Sequence, residues 1–120
     1  MEKKGIPFRQ IHLDFHTSPL IGDIGAEFDA EEFADTLKKA HVNSINLFTK
    51  CHHGMYYYPT AVGKMHPELT FDLFGAQVQV CRENKIRPVA YTCVSWNEDW
   101  AKRHPEWLMV NAEGIWGNKK

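Results

Sequence analysis

The chain has 120 residues, with 14 Lys and Arg against 15 Asp and Glu, which leaves a formal net charge of -1 at neutral pH. This length corresponds to one small domain and is far below the roughly 250 residues of an eight-stranded α/β barrel. The balanced charge excludes the strong positive field that attracts nucleic acids or anionic membrane surfaces. No apolar run approaches the ~20 residues of a membrane span, so a soluble globular protein is expected.

The charged N-terminal residues 1–5 lead into no apolar segment of the kind that secretory signals contain, so a cytoplasmic location is expected. The three cysteines, Cys51, Cys81 and Cys93, match no CxxC pattern of a zinc or redox site. We therefore expect free thiols in a reducing compartment.

The first half of the chain contains a strand, a helix and a second strand. Residues 9–16 alternate strictly and predict a strand whose polar face carries His12, Asp14 and His16. A capping box from Asp29 to Glu32 begins a helix predicted over residues 30–41. The β-prone run 44–49 predicts the second strand.

The second half repeats the alternation of helices and strands. Apolar residues at helical spacing predict a helix over residues 70–84. The continuous run 88–94 is typical of a parallel strand that is buried on both faces. A short helical turn is predicted over residues 98–103. Residues 107–110 predict a strand or an extended segment, in which Trp107 and Leu108 pack into a core.

This order of elements predicts an α/β fold of right-handed βαβ units with parallel strands. Equivalent strand positions Ile11, Ile45 and Val89 are 34 and 44 residues apart, against about 31 per unit in an eight-unit barrel. The 120 residues are thus expected to form one domain of three to four units, since no linker or repeat divides them. Because three strands alone leave two open edges, two interpretations remain: part of a (β/α)8 barrel, or a compact domain with a dimer partner.

Polar side chains follow all three predicted strands. His16 follows the first strand, Lys50 to His53 the second, and Ser95 to Asn97 the third. Ligand sites of parallel α/β sheets form at these carboxyl ends, so imidazoles, an ammonium group and an indole are expected to converge. The loop over residues 50–68 has 19 positions, against ~2 to 6 in most βα loops, and such loops commonly bind ligands or close over them.

The same residues allow two other kinds of site, a metal site and a nucleophilic cysteine. A metal site on His12, Asp14 and His16 conflicts with the about 13 Å that separates the two histidines along a strand. The alternative for His12 and Asp14 is a hydrogen-bonded pair. A Cys51–His52 nucleophile has poor geometry, because adjacent residues at a strand end point in opposite directions.

Residues 47–59 resemble the second-strand segment of the α-L-fucosidase family of retaining glycoside hydrolases, in which Lys-His-His-Asp-Gly-Phe precedes Trp-Pro. Lys50, His52, Gly54 and Pro59 agree with that motif. The chain departs from it at two positions, since Cys51 replaces the first histidine and His53 the aspartate. His16 resembles the histidine of the family's Phe-Ile-His-Trp segment, and Tyr91 with Trp96 its Tyr-Tyr-Ser-x-x-x-Trp segment. Residues 12–17 and 104–108 resemble, more closely still, a related group known as hypothetical glycosyl hydrolases.

The resemblance covers about residues 9–114 and implies the first three to four units of a (β/α)8 barrel. It implies that a terminal monosaccharide is bound by His16, His52, Tyr91 and Trp96, with contributions from Lys50, His53 and Asp14. Because Cys51 removes a ring donor, fucose itself is not specified. The family's nucleophile and acid/base lie on later strands, so the 120 residues alone are expected to be inactive.

The sequence therefore predicts the N-terminal segment of a glycoside hydrolase that binds carbohydrate, with no cofactor and no metal. One alternative is a metal-dependent hydrolase of the amidohydrolase type, built on His12, Asp14, His16 and His52. The other alternative is a non-catalytic sugar-binding or assembly module that forms a homo-oligomer through its open sheet edges.

Overall fold

The computed structural model describes residues 5–114. Its helices are α1 (Ala30–Lys39), α2 (Leu73–Glu83) and α3 (Glu98–Arg103), and a 3-10 helix covers Pro105–Trp107. Its strands are β1 (Gln10–His12), β2 (Ser44–Lys50), β3 (Met55–Tyr56), β4 (Lys64–Met65) and β5 (Arg87–Thr92). None of the helices in the described range has the length and apolar composition that crossing a membrane requires.

The sheet is built around β2. Strand β1 pairs with it in parallel, with Ile11 opposite Ile45, and β5 pairs in parallel on the other side, with Val89 opposite Asn46. Because β5 lies along β2 as far as Lys50, the antiparallel strand β3 occupies the β1 side, beyond the end of β1. Strand β4 continues the sheet in parallel with β3. The mixed α/β class with mostly parallel strands is thus confirmed.

The two long helices cover one face of the sheet; α1 begins where its predicted cap places it, whereas α2 begins at Leu73 instead of the predicted residue 70. The Asp29 carboxylate accepts a hydrogen bond from the Glu32 amide (2.7 Å), and Asp72 caps α2 in the same way through the Gly75 amide (2.7 Å). Leu37 of α1 and Cys81 of α2 pack with Ile45 and Leu47 in one buried cluster. Since side chains alternate along a strand, Asn46, Phe48 and Lys50 lie on the opposite face.

Several predicted elements differ from the structure. The first strand ends at His12 instead of His16, because the chain beyond it is held by side-chain hydrogen bonds of Tyr57. The loop 50–68 is not free of secondary structure, since it contains β3 and β4.

The third predicted strand, observed as β5, is not buried on both faces. Within residues 5–114 it pairs with β2 alone, so its residues remain exposed or half-buried. The segment 107–110 is not a strand of the core either. Pro105 begins a 3-10 helix there, and the Trp107 side chain is 63% exposed.

Candidate functional site

The chain segments that follow β1, β2 and β5 meet at one place. The imidazoles of His16 and His52 stack with ring centroids 4.2 Å apart, and the Trp96 indole lies 6.1 Å from the His52 ring. The predicted convergence of these three side chains at the strand ends is therefore confirmed as a matter of geometry.

A hydrogen bond fixes how His16 is oriented. The backbone amide of His52 donates to Nδ1 of His16 (3.3 Å), so this nitrogen carries no proton. In the neutral ring the proton resides on Nε2, which faces the Asp14 carboxylate at 3.4 Å. Asp14 thus pairs with His16, whereas the His12–Asp14 pair, which was the alternative to a metal site, does not form; Nδ1 of His12 instead contacts the side-chain nitrogen of Asn46 (3.3 Å).

Aromatic rings form a floor beneath the histidines. Phe48 and Tyr91 stack with centroids 4.2 Å apart, one from β2 and the other from its neighbour β5. His16 meets both rings edge-on, at 4.8 Å from Phe48 and 6.2 Å from Tyr91. An apolar floor surrounded by imidazoles suits a ligand that has both an apolar face and hydroxyl groups.

Lys50 ends β2 on this face of the sheet. Its side chain is largely buried, and its ammonium group lies 5.9 Å from the centroid of the Tyr56 ring. Burial lowers the pKa of Lys50, although the neighbouring thiols of Cys93 and Cys51 oppose that effect. Among residues 5–114 no carboxylate forms an ion pair with it, so its donors remain available.

The segment after β2 is tied to the start of α3. The amide of Glu98 donates to the His52 carbonyl (2.9 Å), and the Glu98 carboxylate lies 2.9 Å from Nδ1 of His53. Burial, together with the neighbouring rings of His16 and His53, lowers the pKa of His52. His52 is therefore neutral at pH 7 and offers one donor and one acceptor nitrogen.

The alternative sites have different outcomes. Cys51 is fully buried, and its thiol faces the Thr17 carbonyl (3.7 Å), which agrees with the expected lack of a Cys51–His52 nucleophile. All three cysteines are free thiols, as predicted. In the described range, one group of three side chains is close enough to hold a metal ion, namely His52, His53 and Glu98. It is not the set of His12, Asp14, His16 and His52 that an amidohydrolase-type site would use.

Sequence reasoning did not include Asn46, Phe48 or Glu98 among the site residues. The first two could have been found from strand alternation, because they share a face with Lys50. Glu98 has no such pattern, since only the tertiary hydrogen bond to His52 brings it to the site.

The architecture and the histidine-rich strand ends define a mixed α/β protein with a polar site at the carboxyl edge of its sheet. Residues 29–120 match the family described as Hypothetical glycosyl hydrolase 6, and the chain belongs to that family.

A solved structure, alpha-L-fucosidase isoenzyme 2 from Paenibacillus thiaminolyticus, is 44% identical to the chain with a TM-score of 0.87. The match covers 91% of this chain but 16% of the fucosidase chain, so the present chain spans a small part of that protein's length. No curated protein is significantly similar to the chain.

Proposed function

We propose that this chain supplies part of the sugar-binding subsite of a glycoside hydrolase. The observation that supports it most is the convergence of His16, His52 and Trp96 over the floor of Phe48 and Tyr91, in a member of a glycosyl hydrolase family. The substrate we infer is the terminal monosaccharide of a glycoside, α-L-fucose or a related sugar.

The side chains have the chemistry that a monosaccharide requires. The Trp96 indole is 67% exposed and presents a flat face on which the apolar side of a sugar ring can stack. His16 and His52 offer ring nitrogens to hydroxyl groups, and Tyr91 contributes a phenol beside them. Lys50, His53 and Asp14 complete the proposed set of polar contacts.

We further propose that the fold is the first part of a (β/α)8 barrel. Strands β1, β2 and β5 are the successive parallel strands of the sheet, and each pairs with the next one along the chain. Successive strands pair in the same way in such barrels. In this proposal later strands cover the open side of β5 and carry the catalytic groups. A cytoplasmic location and the absence of nucleic-acid and membrane partners remain predictions from composition.

The partners of three carboxylates that follow β5 also support the assignment of the catalytic groups to later strands. A retaining glycosidase needs two carboxyl groups about 5 Å apart on either side of the scissile bond. Glu98 pairs with His53, Asp99 with Lys64 and Arg103, and Glu106 with His104. Each of these three acids already contacts a basic side chain, so we expect no hydrolysis of aryl-fucosides or aryl-galactosides by the 120-residue chain.

Ligand-observed NMR on the purified chain, with L-fucose and D-galactose compared, tests the sugar proposal. Trp96→Ala should weaken saturation transfer to the sugar several-fold, since a stacking contact on an aromatic face contributes about 0.5–1.5 kcal/mol. Trp107→Ala is the matched control, because Trp107 is similarly exposed but lies outside the cluster.

Two results would contradict the sugar proposal: no saturation transfer to either sugar, or an equal loss in both tryptophan variants while circular dichroism shows them folded. Measurable turnover of an aryl-glycoside by the chain would overturn a separate point, the assignment of the catalytic groups to later strands.

A further inference from the structure

We propose that His52, His53 and Glu98 form a binding site for one divalent transition-metal ion of the Zn²⁺ type. One ligand atom from each of the three side chains lies within 4.8 Å of the other two. This inference is independent of the sugar proposal, although it involves some of the same residues, because it concerns the binding of the metal by itself.

The spacing is close to that of a tetrahedral metal site. Metal–ligand bonds of about 2.0–2.1 Å place neighbouring ligand atoms roughly 3.4 Å apart. Nδ1 of His53 and the Glu98 carboxylate are 2.9 Å apart, and the ligand atom of His52 lies within 4.8 Å of both. Side-chain rotations that move these atoms by less than about 1 Å would therefore accommodate an ion.

The main chain holds the three residues together without help from a metal. The turn that carries His52 and His53 is closed by a hydrogen bond from the Gly54 amide to the Cys51 carbonyl (3.0 Å). Glu98 is joined to this turn through its own amide, which donates to the His52 carbonyl (2.9 Å). Two segments that are 45 positions apart in the chain are thereby fixed side by side, which lowers the entropy cost of assembling the ligands.

Gly54 is what permits this close approach. Its φ of +91° is in the region that favours glycine, and a Cβ atom here would lie 2.5 Å from the Asn97 side-chain oxygen and 2.6 Å from Cβ of Asp99. The turn can therefore rest directly on the first residues of α3, where Glu98 begins the helix.

The donor set selects the class of metal. Two imidazole nitrogens and one carboxylate oxygen suit Zn²⁺, Co²⁺ or Fe²⁺, whereas Mg²⁺ and Ca²⁺ prefer oxygen ligands throughout. Three protein ligands leave the fourth position of a tetrahedral ion open. The three residues are half-buried, so an ion can reach them from solvent.

The test uses the tag-free 120-residue chain with Zn²⁺ in calorimetry and Co²⁺ in visible absorption. We expect one equivalent to bind, and the Co²⁺ form to show the intense visible band of four-coordinate cobalt. Glu98→Gln and His53→Gln should each weaken binding by about tenfold or more, because each removes or weakens one of three protein ligands.

Glu106→Gln is the matched control. Glu106 forms the other close histidine–carboxylate pair, with 3.0 Å to Nδ1 of His104, but among the described residues no second histidine or cysteine completes a ligand set there. Its substitution should leave Zn²⁺ affinity unchanged. Thermal unfolding of every variant verifies that the loss of binding does not follow from a loss of folding.

Any of three results would overturn the site. They are no stoichiometric Zn²⁺ binding, a Co²⁺ spectrum identical to that of the hydrated ion, and equal affinities in the folded Glu98→Gln, His53→Gln and Glu106→Gln variants. Sugar binding plays no part in these measurements, so a failure of the metal site leaves the proposed function to its own test.

Discussion

Tyr57 is the buried side chain that holds the segment bearing His16 against the sheet. Its hydroxyl donates to the Phe15 carbonyl (2.6 Å), contacts the Thr17 hydroxyl (2.7 Å) and accepts from the Thr17 amide (3.2 Å). The last backbone hydrogen bond of this segment to β2 among the described residues runs from the Leu13 amide to the Asn46 carbonyl (3.2 Å), so beyond Leu13 the bonds of Tyr57 restrain the chain instead. His16 lies between the two residues that Tyr57 contacts.

Tyr57→Phe is expected to destabilise the chain by about 1–3 kcal/mol, because the buried Thr17 amide and Phe15 carbonyl lose their partner. Urea unfolding measures the change. Tyr58→Phe is the control, since no hydrogen bond of the Tyr58 hydroxyl exists among the described residues, and it should change the stability by less than about 0.5 kcal/mol. Equal effects of the two substitutions would show that the Tyr57 hydroxyl is not a restraint.

At the scale of single residues, the location of the site could be predicted from the sequence, but the partners of its side chains could not. The carboxyl-edge rule for parallel sheets was enough to bring His16, His52 and Trp96 together. The partner of Asp14 depended on where β1 ends, because the alternation of a strand no longer governs the residues beyond its last ladder bond. For that reason His16, and not His12, became its neighbour.

The turn after β2 and helix α3 form one structural unit. Asp99 lies in this contact and accepts from both Lys64 and Arg103. Burial alone would raise the pKa of Asp99, but these two hydrogen bonds outweigh it and hold the pKa below its ordinary value. The acid thus joins α3 to β4, which precedes it by more than 30 residues.

Gly54→Ala is expected to destabilise the chain by about 2 kcal/mol or more, since strain at positive φ adds to the steric conflict with α3. Gly22→Ala is the matched control, because a Cβ there meets no atom within 4 Å and its φ is not in the positive region. Thermal unfolding compares the two variants. A Gly54→Ala protein as stable as Gly22→Ala would contradict the close packing of the turn on α3.

Element types were more predictable from the sequence than element ends. A capping box with helical spacing predicted α1, and helical spacing alone predicted α2, because both signals are local. The conformation of residues 107–110 does not follow from the local sequence. Those residues are β-prone, yet no strand lies beside them in the described part of the chain, and Pro105 favours a 3-10 turn instead.

Within residues 5–114 the parallel sheet has two open edges, because β1 and β5 each pair in parallel with β2 alone. Strand β5 is the longer of the two, and Val94, two residues beyond its end, is 83% exposed. Unpaired edges of this kind readily pair with another chain. A formal charge of -1 provides little electrostatic repulsion against such association.

We therefore expect the 120-residue chain to self-associate in a concentration-dependent manner in sedimentation velocity. Ala90→Lys places a charge on exposed β5 and should weaken the association by several-fold, because lysine disfavours edge-to-edge pairing. Thr36→Lys adds the same charge to the exposed surface of α1 and should have a much smaller effect. A monomer at all concentrations, or equal effects of the two lysines, would contradict association through the β5 edge.

The sequence by itself determined the α/β class, the two long helices, the parallel order of the main strands and the strand ends at which polar residues meet. All of these follow from periodicity, caps and loop positions, which are properties of neighbouring residues. Only the tertiary structure decided that β1 is short, that His16 pairs with Asp14, and that Glu98 joins His52 and His53. These features depend on hydrogen bonds between segments more than 30 residues apart, or on the lack of a strand ladder, and no local pattern encodes them.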